Sequence, residues 1–207
     1  MKYINISSIE NTLIRLNVSV FSVGEFSQIL KIKPSTARAI LGRNSKKNNS
    51  HILKLKRGIY FFSLNPVSEL EIANKLYQPS YISFETALSH YNIIPEIVYA
   101  TTSATTKRSK EITAQNKVFR YYKIKKSLYF GYRPTKLNNK VIIMADAEKA
   151  LLDYVYLLSL KKGVFNGRLD LSRIDTKKLG NYVRHFKKAI TKNKAFISLI
   201  NEIYKPI

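Results

Sequence analysis

The spacing of apolar residues near the start of the chain alternates between helical and strand-like segments. Apolar positions fall on one side of residues 8–16, which predicts a first helix. Residues 18–21 are β-branched or aromatic and too few for a helix, so they predict a short strand. Ser22 and Glu25 then have the spacing of a capping box, in which each side chain satisfies a backbone N–H at a helix start. A second helix is therefore expected after Ser22.

A proline separates this second helix from a third. Pro34 disfavours helix in the residue before it and suits the first turn of the helix that follows. The third helix is predicted over 35–42, with an apolar stripe at Ala37, Ile40 and Leu41. Two short helices joined by a turn of this length are typical of a helix-turn-helix.

Alternating residues after the third helix predict a β-hairpin. Lys54 and Lys56 alternate with apolar side chains, and the turn residues Arg57 and Gly58 precede an aromatic strand. The alternation places both lysines on the solvent side of a hairpin that lies beside the third helix. Such a hairpin is a wing, so residues 1–64 are predicted to form a winged helix-turn-helix domain.

Strands and helices are mixed in the remaining residues, 65–207, which we predict to be a second domain. The pattern predicts strands near 81–83, 96–102, 117–125, 128–132 and 140–144, and helices near 68–76, 84–91, 146–160, 176–189 and 194–204. We therefore expect an α+β protein, with an N-terminal winged helix-turn-helix followed by a mixed α+β C-terminal domain.

The charge of the chain favours a polyanionic partner. Its 207 residues include 36 Lys and Arg against 13 Asp and Glu, which gives a net charge of +23. Neutralising nucleic-acid phosphates releases counterions, so a protein this basic favours nucleic acid as its partner. The 45% of apolar residues is enough for a folded core, so a disordered chain is not expected.

Composition also limits where the protein works and which sites it can carry. Cysteine is absent, which excludes disulfides and thiolate metal ligands. The first 25 residues lack the apolar region of a signal peptide, and no apolar stretch approaches the length of a membrane span. We therefore expect a cytoplasmic protein with no membrane partner.

Evidence for catalysis is sparse. The three histidines are far apart in sequence, and no glycine-rich phosphate loop is present. Asp146, Glu148 and Lys149 have a spacing that could bind Mg²⁺ in a nuclease, although acidic residues also suit the first turn of a helix. The sequence therefore predicts a protein with no catalytic residues, no metal and no cofactor. A nuclease that uses Asp146, Glu148 and Lys149 is the alternative hypothesis.

A dense basic run covers residues 107–140 and has a single acidic residue, Glu111. Tyrosines interleave with these cations, an arrangement that can stack bases while the charges follow a nucleic-acid backbone. The alternative to nucleic-acid binding is a structural role, in which the tyrosines are half-buried strand residues and the lysines beside them are solvated. The candidate residues of this basic face, for RNA or for an antitoxin role, are Lys107, Arg108, Lys110, Arg120, Lys123, Lys125, Lys126 and Arg133.

Three segments together resemble the AbiEi family, the antitoxins of type IV toxin–antitoxin (abortive-infection) systems. They are Arg-Gly-Ile-Tyr at 57–60, Tyr-Ile-Ser at 81–83 with Ala-Leu at 87–88, and Glu-Lys-Ala-Leu-Leu-Asp at 148–153. The resemblance covers about residues 20–156. At Asn92 the sequence departs from the family, which often has glycine there.

The resemblance implies a protein with two functions. Its winged helix would repress its own operon by binding double-stranded DNA at inverted repeats. Its C-terminal domain would counteract an AbiEii-type nucleotidyltransferase toxin without forming a stable complex. Because a descendant could keep the repressor and lose the toxin partner, a free-standing winged-helix repressor is the alternative.

The resemblance and the predicted elements assign different tasks to the basic residues of the first domain. The DNA-binding candidates are Lys33, Ser35, Thr36, Arg38, Arg43, Lys46, Lys47, Lys54, Lys56 and Arg57. Arg38 and Thr36 are expected to contact base edges, because Arg presents two donors to guanine in the major groove. The wing lysines, together with Lys46 and Lys47, are expected to bind phosphate, which sets affinity without reading sequence. Residues 148–153 are expected to be structural.

Overall fold

The computed structural model describes residues 5–96 and 98–203 and shows an α+β protein. The chain divides into two compact units, Met1–Leu76 (unit 1) and Tyr77–Ile207 (unit 2). The hydrophobic pattern placed the division after residue 64, whereas the contacts of the folded chain place it after Leu76. None of the helices in the described ranges is long and apolar enough to cross a bilayer.

Unit 1 contains helices on a small sheet. Its elements are α1 (Ile6–Arg15), β1 (Val20–Ser22), α2 (Val23–Ile29), α3 (Pro34–Asn44), β2 (Ile52–Lys56), β3 (Ile59–Phe62) and α4 (Glu69–Leu76). The three strands form an antiparallel sheet in the order β1-β3-β2. The predicted first helix, short strand, pair of helices and hairpin are therefore confirmed, each within a few residues of its expected bounds.

One apolar core joins α1, α2, α3 and the sheet of unit 1. Its fully buried members include Leu13, Phe26, Leu41 and Phe62. Asn65 closes this core, because its Nδ2 donates to the carbonyl oxygens of Leu13 at 2.9 Å and Val18 at 2.8 Å. The following helix, α4, contacts β1, which explains why it groups with unit 1 rather than with the second domain.

Unit 2 is built around a six-stranded mixed sheet. Its elements are β4 (Ser80–Ile82), α5 (Phe84–His90), β5 (Ala100–Thr105), β6 (Lys110–Ala114), β7 (Lys117–Lys123), β8 (Tyr132–Leu137), β9 (Lys140–Ala145), α6 (Ala147–Ser159), α7 (Thr176–Ala189) and α8 (Lys194–Ile203). Strand order is β6-β7-β5-β4-β9-β8, with β4–β9 and β5–β7 parallel and the other pairs antiparallel.

The strands of unit 2 differ from the prediction at three places. The strand expected at 96–102 begins later, at Ala100, and runs to Thr105. The pattern missed β6, an exposed edge strand whose turn into β7 is made by Gln115 and Asn116, both at positive φ. Such two-residue turns are usually recognised by glycine, which is absent here. The strand expected at 128–132 is replaced by a 3-10 turn at Lys126–Leu128, and the chain becomes extended only from Tyr132. Pro134 is tolerated in β8 because this strand lies at the sheet edge.

A buried ion pair fixes α6 onto the sheet. Lys149 and Asp153 lie one turn apart on α6, their side chains are fully buried, and the ammonium group donates to the Asp153 carboxylate. The other carboxylate oxygen, Oδ2, accepts hydrogen bonds from Tyr81 Oη at 2.9 Å and Ser83 Oγ at 2.8 Å. Burial next to the Asp153 charge raises the pKa of Tyr81 well above its ordinary value, so this phenol remains a donor.

Aromatic rings and a glycine enclose the same lysine. Its Nζ lies 5.3, 5.4 and 5.1 Å from the ring centroids of Tyr81, Phe130 and Phe186, within the range of cation–π attraction. Gly131, at φ +69°, approaches so closely that an added Cβ would meet the Lys149 side chain at 3.0 Å. The expectation that residues 148–153 are structural therefore agrees with their burial.

Removing the cation of this pair should destabilise the protein strongly. We expect Lys149→Met to lower the free energy of unfolding by about 3–5 kcal/mol, because Asp153 is left buried without its counter-ion. The measurement is urea denaturation followed by circular dichroism. Lys136→Met, on the exposed face of β8, is the matched control and should change stability by no more than about 0.5 kcal/mol. Equal effects of the two substitutions would contradict the assigned role of the pair.

Candidate nucleic-acid interface

Helix α3 presents a polar face to solvent because its apolar residues are buried in the core. Ala37, Ile40 and Leu41 are buried, as the stripe predicted. Ser35 and Arg38 are exposed, and Thr36 is half-buried. The helix begins directly at Pro34, whose missing N–H costs nothing at this position. An exposed arginine is thus held on a helix whose opposite face is anchored in the core.

The start of α2 is fixed by the predicted capping box. Ser22 Oγ accepts from the Glu25 N–H at 3.2 Å, and the Glu25 carboxylate accepts from the Ser22 N–H at 2.8 Å. Glu25 also forms an ion pair with Lys75 of α4. Burial acts to raise the pKa of Glu25, but the hydrogen bonds from Lys75 and Ser22 outweigh it and hold the pKa below its usual range.

The β2–β3 hairpin also contacts the start of α2. Gly58, at φ +82°, makes its turn, and the Gly58 carbonyl accepts from the Val23 N–H at 3.1 Å. This hydrogen bond joins the hairpin turn to the first residue of α2. The turn of the β2–β3 hairpin is therefore joined to the start of α2 by a backbone hydrogen bond.

A basic cleft of about 580 Å³ opens between α3 and the hairpin. Arg38 of α3, Lys54 of β2 and Arg57 of the turn all line it, and all three are exposed. The other lining residues are Ser22, Val23, Gly24, Gly58 and Tyr60. None of these described lining residues is acidic, so the cleft is suited to an anionic partner. Three of the predicted DNA-binding residues are brought together here.

Lys56 does not face solvent as the alternation predicted. It is half-buried, and its Nζ donates to the carbonyl oxygen of Leu76. The reason is an irregularity in the β2–β3 ladder, where the register shifts between Lys54 and Lys56. A strict alternation cannot foresee such a bulge, so Lys56 is a poorer phosphate ligand than Lys54.

The remaining candidates of unit 1 surround α3 without lining the cleft. Lys33 lies at the N-cap of α3, and Lys46 and Lys47 follow its C-terminal end, all three exposed. Arg43, in the last turn, is also exposed, and its Nε lies 3.4 Å from the Ala39 carbonyl oxygen. These positively charged side chains lie around α3. Their positions give no arrangement of donors that would select a particular base.

The predicted basic face of unit 2 is not one surface. Arg133 lies on β8 at one edge of the sheet, and Arg120 and Lys123 lie on β7, with β5, β4 and β9 between them. Arg120 Nε is paired with the Glu111 carboxylate at 2.8 Å. Lys125 Nζ donates to the Ala189 carbonyl oxygen at 3.2 Å. The eight candidates of the basic run are thus divided among several local environments.

The lysines and arginines near β6 have their own local contacts. The ammonium groups of Lys107 and Lys110 lie 5.7 and 5.8 Å from the centroid of the Tyr77 ring. The Arg108 carbonyl oxygen accepts from Tyr77 Oη at 3.1 Å. Lys126 is exposed on the 3-10 turn that follows β7. Proximity in sequence therefore overstated the density of positive charge at any one place.

The tyrosines of the basic run are mainly structural. Tyr121 is buried, Tyr122 and Tyr129 are half-buried, and burial together with the neighbouring Tyr132 raises the pKa of Tyr129 to about 12. Tyr132 is 37% exposed, but its ring stacks on Tyr81 with centroids 4.5 Å apart. The structural alternative therefore describes this region better than a base-stacking platform does. In that alternative, half-buried strand tyrosines lie beside solvated cations.

The nuclease candidates are engaged in structure. Asp146 caps α6, accepting from the Lys149 N–H at 2.9 Å and from Tyr182 Oη at 3.0 Å. Lys178 lies 2.9 Å from the carboxylates of both Asp146 and Glu148. Lys149 is fully buried and has no path to a phosphate. Within residues 5–96 and 98–203, no three histidine or acidic side chains cluster as metal ligands.

Comparisons with known proteins add no assignment to this geometry. Neither a protein-family model nor the sequence of a curated protein matches the chain. The functional interpretation therefore depends on the described side chains, and above all on the cleft between α3 and the hairpin.

Neutralising Glu25 should loosen the base of this cleft. We expect Glu25→Gln to lower the free energy of unfolding by about 1 kcal/mol at pH 7, because glutamine keeps the capping-box hydrogen bond but loses the ion pair with Lys75 and the negative charge at the helix start. Because the folded-state pKa of Glu25 lies below its ordinary value of 4.5, this stabilisation is present above pH 4.5 and is lost as the pH falls through the folded pKa. Urea denaturation at pH 7 and at pH 3 measures both values.

A difference between wild type and Glu25→Gln that stays constant with pH would contradict this role. Glu202→Gln, at an exposed carboxylate on α8, is the matched control. It should leave stability at pH 7 within about 0.5 kcal/mol of wild type.

Proposed function

We propose that the protein is a DNA-binding transcriptional repressor whose unit 1 is a winged helix-turn-helix. In this proposal α2 and α3 are the helix-turn-helix, α3 is the recognition helix, and β2–β3 is the wing. The observation that carries the proposal is the cleft in which Arg38 of α3 lies with Lys54 and Arg57 of the hairpin. The major groove admits an α-helix, and a wing beside that helix can reach the neighbouring phosphates.

The proposed division of labour follows from exposure and anchoring. Arg38 is exposed on a helix that the core holds rigidly, so it can present both donors to a guanine edge. Lys54 and Arg57 lie on the hairpin, and Lys46 and Lys47 lie on the loop after α3. These four cations are proposed to bind phosphate, which positions the protein without reading sequence.

We also propose an antitoxin role for unit 2, by resemblance to the AbiEi family. Two of the segments that carry the resemblance, 81–83 and 148–153, meet in the buried network of Tyr81, Ser83, Lys149 and Asp153. This supports the resemblance, because segments far apart in sequence form one structural element. The proposed cellular role is then autorepression of a toxin–antitoxin operon from the cytoplasm, with a nucleotidyltransferase toxin as the functional partner.

A free-standing repressor is the competing proposal. The basic cleft of unit 1 supports this proposal as well as it supports the antitoxin proposal. The difference lies in unit 2, whose predicted basic face is divided among separate environments. The gene next to that of the repressor distinguishes the two, because the antitoxin needs a neighbouring nucleotidyltransferase.

Substitution of Arg38 should reduce sequence-specific binding. We expect Arg38→Ala to weaken binding to the inverted-repeat duplex upstream of its own gene by about 1–3 kcal/mol, with a smaller loss on a random duplex of equal length. Lys46→Ala should weaken both duplexes alike and reduce the slope of log affinity against log salt by about 1. Fluorescence anisotropy titrations at several salt concentrations measure these effects.

Arg133→Ala is the control for these titrations, since Arg133 is an exposed arginine of unit 2. It should leave the preference for the inverted repeat unchanged. If Arg38→Ala weakened both duplexes equally, α3 would not be the element that reads sequence.

Antitoxicity should be separable from DNA binding. We expect the full chain carrying Arg38→Ala and Lys54→Ala to restore growth of cells that express the neighbouring nucleotidyltransferase, as the unchanged chain does. Both substitutions lie in the cleft of unit 1, whereas the proposed antitoxin role belongs to unit 2. Growth on inducing plates is the measurement, and failure of the unchanged chain to protect against a demonstrably toxic neighbour would leave the free-standing repressor.

A further inference from the structure

Unit 2 contains a cavity of about 590 Å³ that plays no part in the proposed DNA binding. Its walls come from five parts of the fold: Glu85 of α5, residues 94, 96 and 98 after α5, Arg120 and Tyr122 of β7, Tyr154 of α6, and the segment 162–168. A cavity of this size lies within the range of about 300–1,000 Å³ that is typical of small-molecule sites.

Hydrogen bonds hold the outer wall of this cavity in place. Tyr154 Oη donates to the Val164 carbonyl oxygen at 2.7 Å and accepts from the Asn166 N–H at 2.8 Å. The carboxylate of Glu96 accepts from the side chains of both Asn166 and Arg168. The segment 162–168 is therefore fastened at several points, and the cavity is formed before any ligand binds.

The cavity lining combines aromatic and apolar surface. Tyr122 contributes a half-buried ring and Val98 adds half-buried aliphatic surface, whereas Tyr154 and Ile94 line the cavity as buried side chains. Phe165, also in the lining, is 51% exposed. Accessible apolar and aromatic surface next to a pre-formed cavity favours a ligand with a planar, unsaturated body.

Glu85 supplies an acceptor that the folded chain leaves unused. Its Oε2 is buried and has no hydrogen-bond partner among the described residues. Burial raises the pKa of Glu85, and hydrogen bonds from its own backbone N–H and from the Thr102 side chain, together with the Arg120 charge, only partly oppose this. A buried polar atom without a partner costs free energy, and a ligand with N–H donors can supply the missing hydrogen bond after a small rotation of the side chain.

Cations surround the same cavity. Lys162 lines it and is exposed. Arg120 and Arg168 line it as well, each already paired with a carboxylate, of Glu111 and Glu96 respectively. Lys162 is thus the cation best placed to bind an added anion, and a ligand with one anionic group and one hydrogen-bond-donating edge matches the two polar features.

We propose that this cavity binds an aminopurine nucleotide, with its base against the Tyr122 ring, its amino edge towards Glu85 and its phosphate at Lys162. Adenine and guanine, like cytosine, have an exocyclic amino group, from which a carboxylate accepts hydrogen bonds well. The two fused rings of a purine cover more aromatic surface than the single ring of cytosine, which favours the purines. In uracil the ring N–H lies between two carbonyl groups, which repel a carboxylate. The site therefore discriminates between bases through Glu85 and binds the phosphate through Lys162.

The direct test is isothermal titration of the full chain with AMP, GMP, UMP, adenosine and inorganic phosphate at physiological salt. We expect one site per chain for AMP or GMP, with affinity at least about tenfold higher than for UMP or phosphate, which corresponds to about 1.4 kcal/mol. No saturable binding of AMP or GMP at millimolar concentration would overturn the proposal. Phosphate binding as tight as nucleotide binding would also overturn it.

Two pairs of variants locate the ligand within the cavity. Lys162→Ala should weaken AMP or GMP binding about fivefold and leave adenosine binding unchanged, whereas Lys136→Ala, an exposed lysine of β8, should change neither. Glu85→Gln should reduce the preference for an amino base over UMP, and Glu202→Gln should not. Equal losses in a variant and its control would assign the effect to net charge and contradict the site.

A further variant separates this site from the basic cleft of unit 1. The chain with Arg38→Ala and Lys54→Ala should bind AMP and GMP as the unchanged chain does. Loss of nucleotide binding in that variant would place the ligand in unit 1 and overturn the proposal. Because DNA binding is measured with the inverted-repeat duplex, failure of the nucleotide site leaves the repressor proposal untouched.

Discussion

The buried ion pair of Lys149 and Asp153 is the constraint on which unit 2 depends most. A charged pair without solvent is stable only if every donor and acceptor is satisfied. Tyr81 and Ser83 donate hydrogen bonds to the second oxygen of the Asp153 carboxylate. Three aromatic rings surround the Lys149 ammonium group, and Gly131 leaves room for the aliphatic part of the lysine side chain. These requirements fix α6 against β4 and against the chain that enters β8, so the sheet and its main helix have a single relative position.

Unit 1 uses a carboxylate in a similar way at its surface. Glu25 caps α2, pairs with Lys75 of α4 and lies three residues after Ser22, where β1 ends. The Gly58 carbonyl joins the hairpin to the same helix start. A few polar contacts thus fix the start of α2 and the hairpin turn, both of which line the cleft that contains Arg38. The apolar packing of α3 determines which of its faces remains exposed.

Local signals in the sequence were reliable where the physics is local. The capping box at Ser22, the proline at the start of α3 and the buried stripe of Ala37, Ile40 and Leu41 each involve residues within one or two helical turns. Prediction failed where the outcome depends on a partner strand. The register shift before Lys56, the edge strand β6 and the late start of β8 all depend on pairing that spacing along the chain does not encode.

The sequence by itself determined the helices and strands of unit 1, the mixed α+β character of unit 2 and the excess of positive charge. Only the tertiary structure decided which cations share a surface. It grouped Arg38 with Lys54 and Arg57, turned Lys56 towards Leu76 and divided the basic run of unit 2 among several local environments. The cavity at Glu85 likewise combines segments far apart in the chain, because side chains meet only where the backbone path brings their elements together.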